Sequence, residues 1–209
     1  MGLSFKVICP NSVFQEVIQW GVASQFSLLS VLSWGMYSCL PMNDQVRIEP
    51  AEEQDVVAIM EIHYAAVHQT ARSFYPEEVI NAWSPPTDND RINRIKRAIE
   101  NPDECLIVAK QNNLIVGFGS IASKDNQLRA LYVHPSFGRR GIGARILTAL
   151  EHEARSLGLL YLQMDASINA ESFYRKHGFE IIEYATHQLA SGQEMACVKM
   201  QKTLNGSDV

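Results

Sequence analysis

Six residues, Gly138-Arg139-Arg140-Gly141-Ile142-Gly143, constrain this chain more than any others, because of what flanks them. The run before them, Leu128-Arg129-Ala130-Leu131-Tyr132-Val133, alternates apolar and polar positions and reads as a strand. They open a run in which Ile142, Ile146, Leu147, Leu150, Ala154 and Leu157 recur at the spacing of one helical face. A glycine-rich turn from a strand into a helix N-terminus gathers several backbone N–H groups at one point, and the helix end adds a partial positive charge. Arg139 and Arg140 add two full charges. Phosphate or pyrophosphate is the chemistry such a turn suits; the alternative is a tight turn whose glycines only relieve steric strain.

Two phosphate motifs do not fit. A P-loop opens its helix with Gly-Lys-Ser/Thr, whereas Gly143 is followed by Ala144-Arg145. A dinucleotide fingerprint needs a third glycine three residues after Gly143, where Ile146 stands. The rest of the chain narrows the setting. Residues 46–49 read as a strand ended by Pro50, residues 55–72 as a helix, and Pro76 opens a second helix to about Trp83. Residues 90–101 form a third, charged helix. Residues 105–109 and 114–121 are strands joined by the turn Lys110-Gln111-Asn112-Asn113. After the long helix, Gly158 marks a stop. Residues 160–165 form a strand, 170–177 a short helix, and 179–184 and 194–201 the final strands. This order predicts an α/β (α+β) fold, a mixed but mostly antiparallel sheet flanked by helices.

Composition excludes several functions. A net charge of −5 argues against a broad nucleic-acid surface. Cys9, Cys39, Cys105 and Cys197 are scattered, with no CxxC, which suits reduced thiols in a cytoplasmic protein. The histidines show no paired ligand spacing, so no metal site is expected. Residues 17–43 carry no Asp, Glu, Lys, Arg or His, and are long enough to cross a bilayer, for which about 20 residues suffice. Five serines between Ser24 and Ser38 dilute that stretch, and Lys6 is the only positive charge before it. Three readings of residues 1–44 stand open: an extension from an upstream start codon, with Met42 ahead of the domain; a packed or loosely ordered appendage; and a membrane anchor. The domain proper is placed at residues 45–204, with a tail at 205–209.

Two blocks carry a family resemblance. Val133-His134-Pro135-Ser136-Phe137-Gly138-Arg139-Arg140-Gly141-Ile142-Gly143-Ala144 resembles the acetyl-CoA signature of the GNAT superfamily of N-acetyltransferases, Gln/Arg-x-x-Gly-x-Gly/Ala after a strand ending in Val-x-Pro. Asp165-Ala166-Ser167-Ile168-Asn169-Ala170-Glu171-Ser172-Phe173-Tyr174-Arg175-Lys176-His177-Gly178-Phe179 resembles its Asn/Ser-x-x-Ala-x-x-x-Tyr-x-x-x-Gly-Phe segment. Ala66-Val67, Thr70-Ala71, Tyr75 and Ala82-Trp83 are further similar to a YafP-like subgroup. The sequence departs from the pattern in having Gly138 where the family most often has Gln or Arg, with the arginines displaced along the loop, and Ser167 where Asn is frequent.

The resemblance implies a sheet of about seven strands that splays in the middle, and acetyl-CoA as cosubstrate. It implies that pantetheine lies along Leu131, Tyr132 and Val133, that pyrophosphate meets Arg139, Arg140, Gly141, Ile142, Gly143 and Ala144, and that Ser167 lies near the thioester. Tyr174 stands where the family places the acid that protonates the departing thiolate. Attack by a primary amine, from a small molecule or a peptide, would occur directly in a ternary complex. For the base, Asp165, His134 and a water chain stay open. Arg129 stands where many relatives carry an acid; it either favours an anionic acceptor or sits in a solvated cross-strand charge pair. His63, Tyr64, His68, Arg72, Tyr75 and Trp83 are candidates for the acceptor pocket. A homodimer is compatible with the sequence. The rival functions are an acyl-CoA-binding sensor without turnover and a membrane-tethered interaction protein.

Overall fold

The structure, a computed structural model, describes residues 45–204. The expected N-terminal extension, 1–44, and the tail, 205–209, lie outside the described residues. Seven strands form one sheet in the order β1-β2-β3-β4-β5-β7-β6: β1 (Arg47–Pro50), β2 (Glu104–Gln111), β3 (Leu114–Ala122), β4 (Gln127–Val133), β5 (Tyr161–Ser167), β6 (Glu180–Gln188) and β7 (Glu194–Thr203). The helices are α1 (Val56–Ala66), α2 (Glu77–Trp83), α3 (Asn89–Glu100), α4 (Ile142–Ser156) and α5 (Glu171–Lys176). Every strand pair is antiparallel except β4 with β5.

β2 and β3 read as apolar runs because both faces of the sheet are covered. Leu106 and Val108 pack with Ile59 and Ile62 of α1, and with Ile95 and Ile99 of α3. Ile107 and Ala109 turn to the other face and join Ile142, Ile146, Leu147 and Leu150 of α4, the alternation a pleated strand imposes. Two glycines in β3 set how closely α4 approaches. A Cβ at Gly119 would lie 2.7 Å from Ile146 Cγ2 and 2.8 Å from Leu150 Cδ1; at Gly117 it would lie 2.9 Å from Ile146 Cδ1. The β2–β3 turn places Asn112 (φ 51°) and Asn113 (φ 65°) in the left-handed region, as a two-residue hairpin turn requires.

A bulge opens the sheet. Ser120 pairs with Ala130 but Ile121 pairs with Leu128, which leaves Arg129 as an extra residue in β4. A bulged strand bends and twists more strongly. β4 then shares register with β5 only at Gln127 and Gln163. Past that point the two strands part, and the β5-facing edge of β4 has no strand partner among the described residues. This is the expected splay.

Three elements differ from their sequence expectations. The helix expected over 55–72 is a 3-10 turn (Glu53–Asp55), then α1, then a wider π turn (Val67–Ala71) in which His68 reaches the Ser84 carbonyl oxygen (2.8 Å). Pro50 lies within β1 rather than after it, tolerated because β1 is an edge strand. β6 runs to Gln188 instead of Tyr184, because β7 continues to pair with it as far as Gln188–Glu194. Among the described residues no helix is long and apolar enough to cross a membrane.

Candidate active site

Gly141 caps α4 in the left-handed region (φ 77°, ψ 2°). The first bond of the helix runs from Arg145 N to Gly141 O (3.1 Å), so the amides of Ile142, Gly143 and Ala144 have no intrahelical acceptor. No acidic residue stands in the first turn, and a Cβ built on Gly141 would meet nothing within 4 Å. The loop therefore offers an open, electropositive cradle, which fits a phosphate group. Arg140 is braced: its guanidinium donates to Ser136 O (3.2 Å) and lies 5.3 Å from the Phe137 ring centroid. Arg139 is exposed at φ 62°. Gly143 faces inward, where a Cβ would touch Phe173 of α5 (3.5 Å) and Leu131 of β4 (3.6 Å).

The gap between β4 and β5 holds a cavity of about 200 Å³ whose wall includes Leu131, Tyr132, Asp165, Ser167, Tyr174 and His187. Val133 continues the β4 edge beyond it, paired on its other side with Gly117. Tyr174 is buried edge-on to Phe173 and Phe179, and no hydrogen bond claims its hydroxyl among the described residues. Burial, helped by the neighbouring Tyr132, holds its phenol well above the usual range, so the proton stays on oxygen at any ordinary pH. Tyr132 is pushed up to about 12, mainly by burial. Asp165 accepts from His187 Nδ1 at 2.9 Å, across the intervening β7.

A larger cavity of about 570 Å³ adjoins the first, and the two share Trp83, Arg129, Tyr132 and His187 in their walls. Its other walls include Phe118, His63, Arg91 and Arg94. His63 Nδ1 contacts Ser84 Oγ (2.9 Å) and Arg91 Nη2 (3.4 Å). Burial first, then the Arg91 and His68 charges, depresses its pKa to about 4. His63 is thus neutral; with Nδ1 accepting from Arg91, its ring N–H is on Nε2.

Residues 68–204 match the acetyltransferase (GNAT) domain family. The chain belongs to the GNAT family. It is 29% identical over 142 residues to the uncharacterized N-acetyltransferase YafP of Escherichia coli (strain K12), covering 68% of this chain and 84% of that protein. A GCN5-related N-acetyltransferase structure from Rhodopseudomonas palustris superposes with a TM-score of 0.66 at 28% identity, over 75% of this chain and 94% of that one. YncA of Salmonella typhimurium, a putative acetyltransferase solved with acetyl-CoA, shares the fold (TM-score 0.60, 21% identity, 79% and 97% coverage).

Within this GNAT domain the acetyl-CoA candidates divide into two groups: Arg139 to Ala144 in the loop, and Leu131, Tyr132 and Ser167 at the gap, beside Tyr174 and Asp165. Among the acceptor candidates, His63 and Trp83 line the larger cavity; Tyr64, His68, Arg72 and Tyr75 do not. Tyr64 stacks on His68 (3.9 Å), and the Tyr75 hydroxyl donates to Ala196 O (2.8 Å) and accepts from Ile168 N (2.7 Å), a structural tie. Arg129 bridges Glu104 (2.7 Å) and Asp125 (3.0 Å) and lines both cavities. His187, Arg91 and Arg94 were not among the sequence candidates. His187 lay past the predicted end of its strand; only the longer β6 carries it to Asp165. Among the described residues no three His, Cys, Asp or Glu side chains gather as a metal site.

Proposed function

We propose that this GNAT protein transfers the acetyl group of acetyl-CoA to a primary amine by direct attack, both substrates being bound together. The observation that carries the reading is the continuity of the site: open amides at the start of α4, the unpaired β4 edge, a gap holding the buried Tyr174, and an adjoining cavity large enough for an acceptor. Pantetheine pairs with Leu131, Tyr132 and Val133 as an added strand would, satisfying backbone groups that β5 leaves free. Pyrophosphate rests on the amides of Ile142, Gly143 and Ala144, with Arg139 and Arg140 beside it. The thioester lies in the gap near Ser167, and the amine enters from the larger cavity.

Attack places negative charge on the carbonyl oxygen, which an unpaired N–H of the β4 edge stabilises. Tyr174 donates its proton to the sulfur as the C–S bond breaks. Because burial disfavours tyrosinate, that transfer is coupled to loss of a proton from the new C–N nitrogen, which restores the phenol. Asp165 lies in the wall of the same gap.

Thiol release from acetyl-CoA tests this with 2-phenylethylamine, L-phenylalanine, putrescine and a tri-alanine peptide. Amine-dependent release is expected, with kcat at least about 100-fold lower in Tyr174→Phe and CoA affinity within about twofold. Unaltered turnover in Tyr174→Phe removes it as the acid. A second reading, a sensor that binds acyl-CoA without turnover, is favoured by Arg129 standing, already paired, where an acid would serve. CoA binding without release for any amine selects it.

A further inference from the structure

An amine acceptor is mostly an ammonium ion at neutral pH and must lose a proton before attack. The histidines and the carboxylate nearest that step differ in what their atoms are free to do. His134 Nδ1 accepts from Ser136 N (3.2 Å) in the turn ahead of the glycine loop, and His134 lines neither cavity. His63 keeps its proton on Nε2 and, at a pKa of about 4, is a weak base. One oxygen of Asp165 is held by His187. His187 stands in the wall common to both cavities, between the position of the thioester and that of the acceptor.

We propose that His187 is the general base of the acetyl transfer and that Asp165 is its positioning residue. The proposal rests on the acetyl-transfer reading of the same site. The 2.9 Å contact makes Nδ1–H the donor and Asp165 Oδ2 the acceptor, which leaves the lone pair on Nε2 and fixes the ring. Nε2 takes one proton from the ammonium, giving a free amine and an imidazolium that Asp165 stabilises. The amine forms the C–N bond, the C–S bond breaks, and Tyr174 supplies the proton that leaves on the thiol. The second proton lost by nitrogen returns to Tyr174, and the imidazolium releases the first to solvent. Of the ammonium's three protons, one stays on the amide, one replaces the proton that Tyr174 gave to the thiol, and one goes to solvent.

The groups facing His187 are consistent with this role. Asp165 approaches from β5. Arg129 of β4 has its charge met by Glu104 and Asp125. Cys197 and Lys199 of β7 lie near Asp165: burial holds the Cys197 thiol protonated, and the Lys199 charge is met by Glu183 (2.6 Å). Across the larger cavity stand the neutral His63 and two pairs of opposite sign, Asp88 and Asp90 with Arg91 and Arg94. His187 is partly exposed on an edge strand, so its replacement leaves no core cavity.

The test is kcat/KM against pH, using the amine from the panel above that releases CoA fastest. His187→Asn keeps an amide N–H for Asp165 but cannot take a proton; His187→Gln repeats the test with a longer amide should the first variant fold poorly. Both are expected to lose about 100-fold or more near pH 7. The loss should shrink as rising pH frees the amine, with CoA affinity unchanged. Asp165→Asn should show a smaller loss and a displaced pH profile. A pH profile in His187→Asn and His187→Gln parallel to that of the unaltered protein overturns the proposal, whatever the size of the loss. No release by the unaltered protein with any amine overturns the acetyl-transfer reading, and the base with it.

Discussion

Replacing Gly141 with alanine separates the backbone role of the glycine loop from its binding role. At φ 77° a residue with a Cβ loses about 1–2 kcal/mol relative to glycine. Reduced freedom of the unfolded chain returns about 0.4–1 kcal/mol. No atom lies within 4 Å of the new Cβ, so steric overlap adds nothing. The net is about 1 kcal/mol, a fall in Tm of about 2–4 °C for a domain of this size. Gly158, at the far end of α4, has the same φ of 77° and the same empty surroundings, so Gly158→Ala should lower Tm equally. The two differ in ligand binding. At Gly141 the methyl enters the space over the amides of residues 142–144, and loss of one charge-assisted hydrogen bond, about 1.5–3 kcal/mol, weakens CoA binding about 10- to 100-fold. With CoA at about 100 times the unaltered Kd, ligand stabilisation of about 2.7 kcal/mol should fall to about 0.4–1.4 kcal/mol in Gly141→Ala and stay intact in Gly158→Ala. Calorimetric titration with CoA and melts with and without it read both quantities. Equal CoA affinity in the two variants would refute the phosphate assignment of the loop.

Two further outcomes follow from packing and charge. Gly119→Ala would force its Cβ onto Ile146 and Leu150 and should cost about 1–3 kcal/mol in thermal unfolding, since the core on that face is filled; a neutral change would mean α4 is more loosely seated than its contacts imply. His63 has a folded pKa of about 4 against an ordinary 6.5, so the unfolded chain takes its proton first. The stability it contributes is complete above about pH 6.5 and is lost as pH falls toward 4, about 3 kcal/mol at most at about 1.4 kcal/mol per pH unit. Urea midpoints at pH 7 and 4.5 should therefore differ less in His63→Gln than in the unaltered protein; an equal difference removes His63 from the acid response.

The parts of the site that could be read before folding are those written in consecutive residues. The strand, glycine turn and helix from Leu128 to Leu157 carry their own geometry, and Tyr174 sits in a second local block. The parts that could not be read depend on pairing between distant residues. Arg129 looks like an ordinary strand position; only its register against Ser120 and Ile121 makes it the bulge that parts β4 from β5. His187 follows edge-strand residues whose exposed positions include Ile182 and Tyr184, which hides the alternation, and it meets Asp165 across the intervening β7. Gly117 and Gly119 are visible in the sequence, but their function, admitting Ile146 and Leu150 of α4, depends on where the helix is seated. For the acceptor pocket, Tyr75 and Trp83 were indistinguishable as sequence. One ties β7 to the turn after β5, and the other walls both cavities.

A crystal structure with acetyl-CoA, or with CoA and the amine found by thiol release, tests the central claim most directly. The account predicts pyrophosphate on the amides of Ile142, Gly143 and Ala144, pantetheine paired along Leu131–Val133, and sulfur beside the Tyr174 hydroxyl, with the amine between the thioester and His187. A cofactor bound with its sulfur outside the β4–β5 gap, or with Tyr174 out of reach of it, would contradict it.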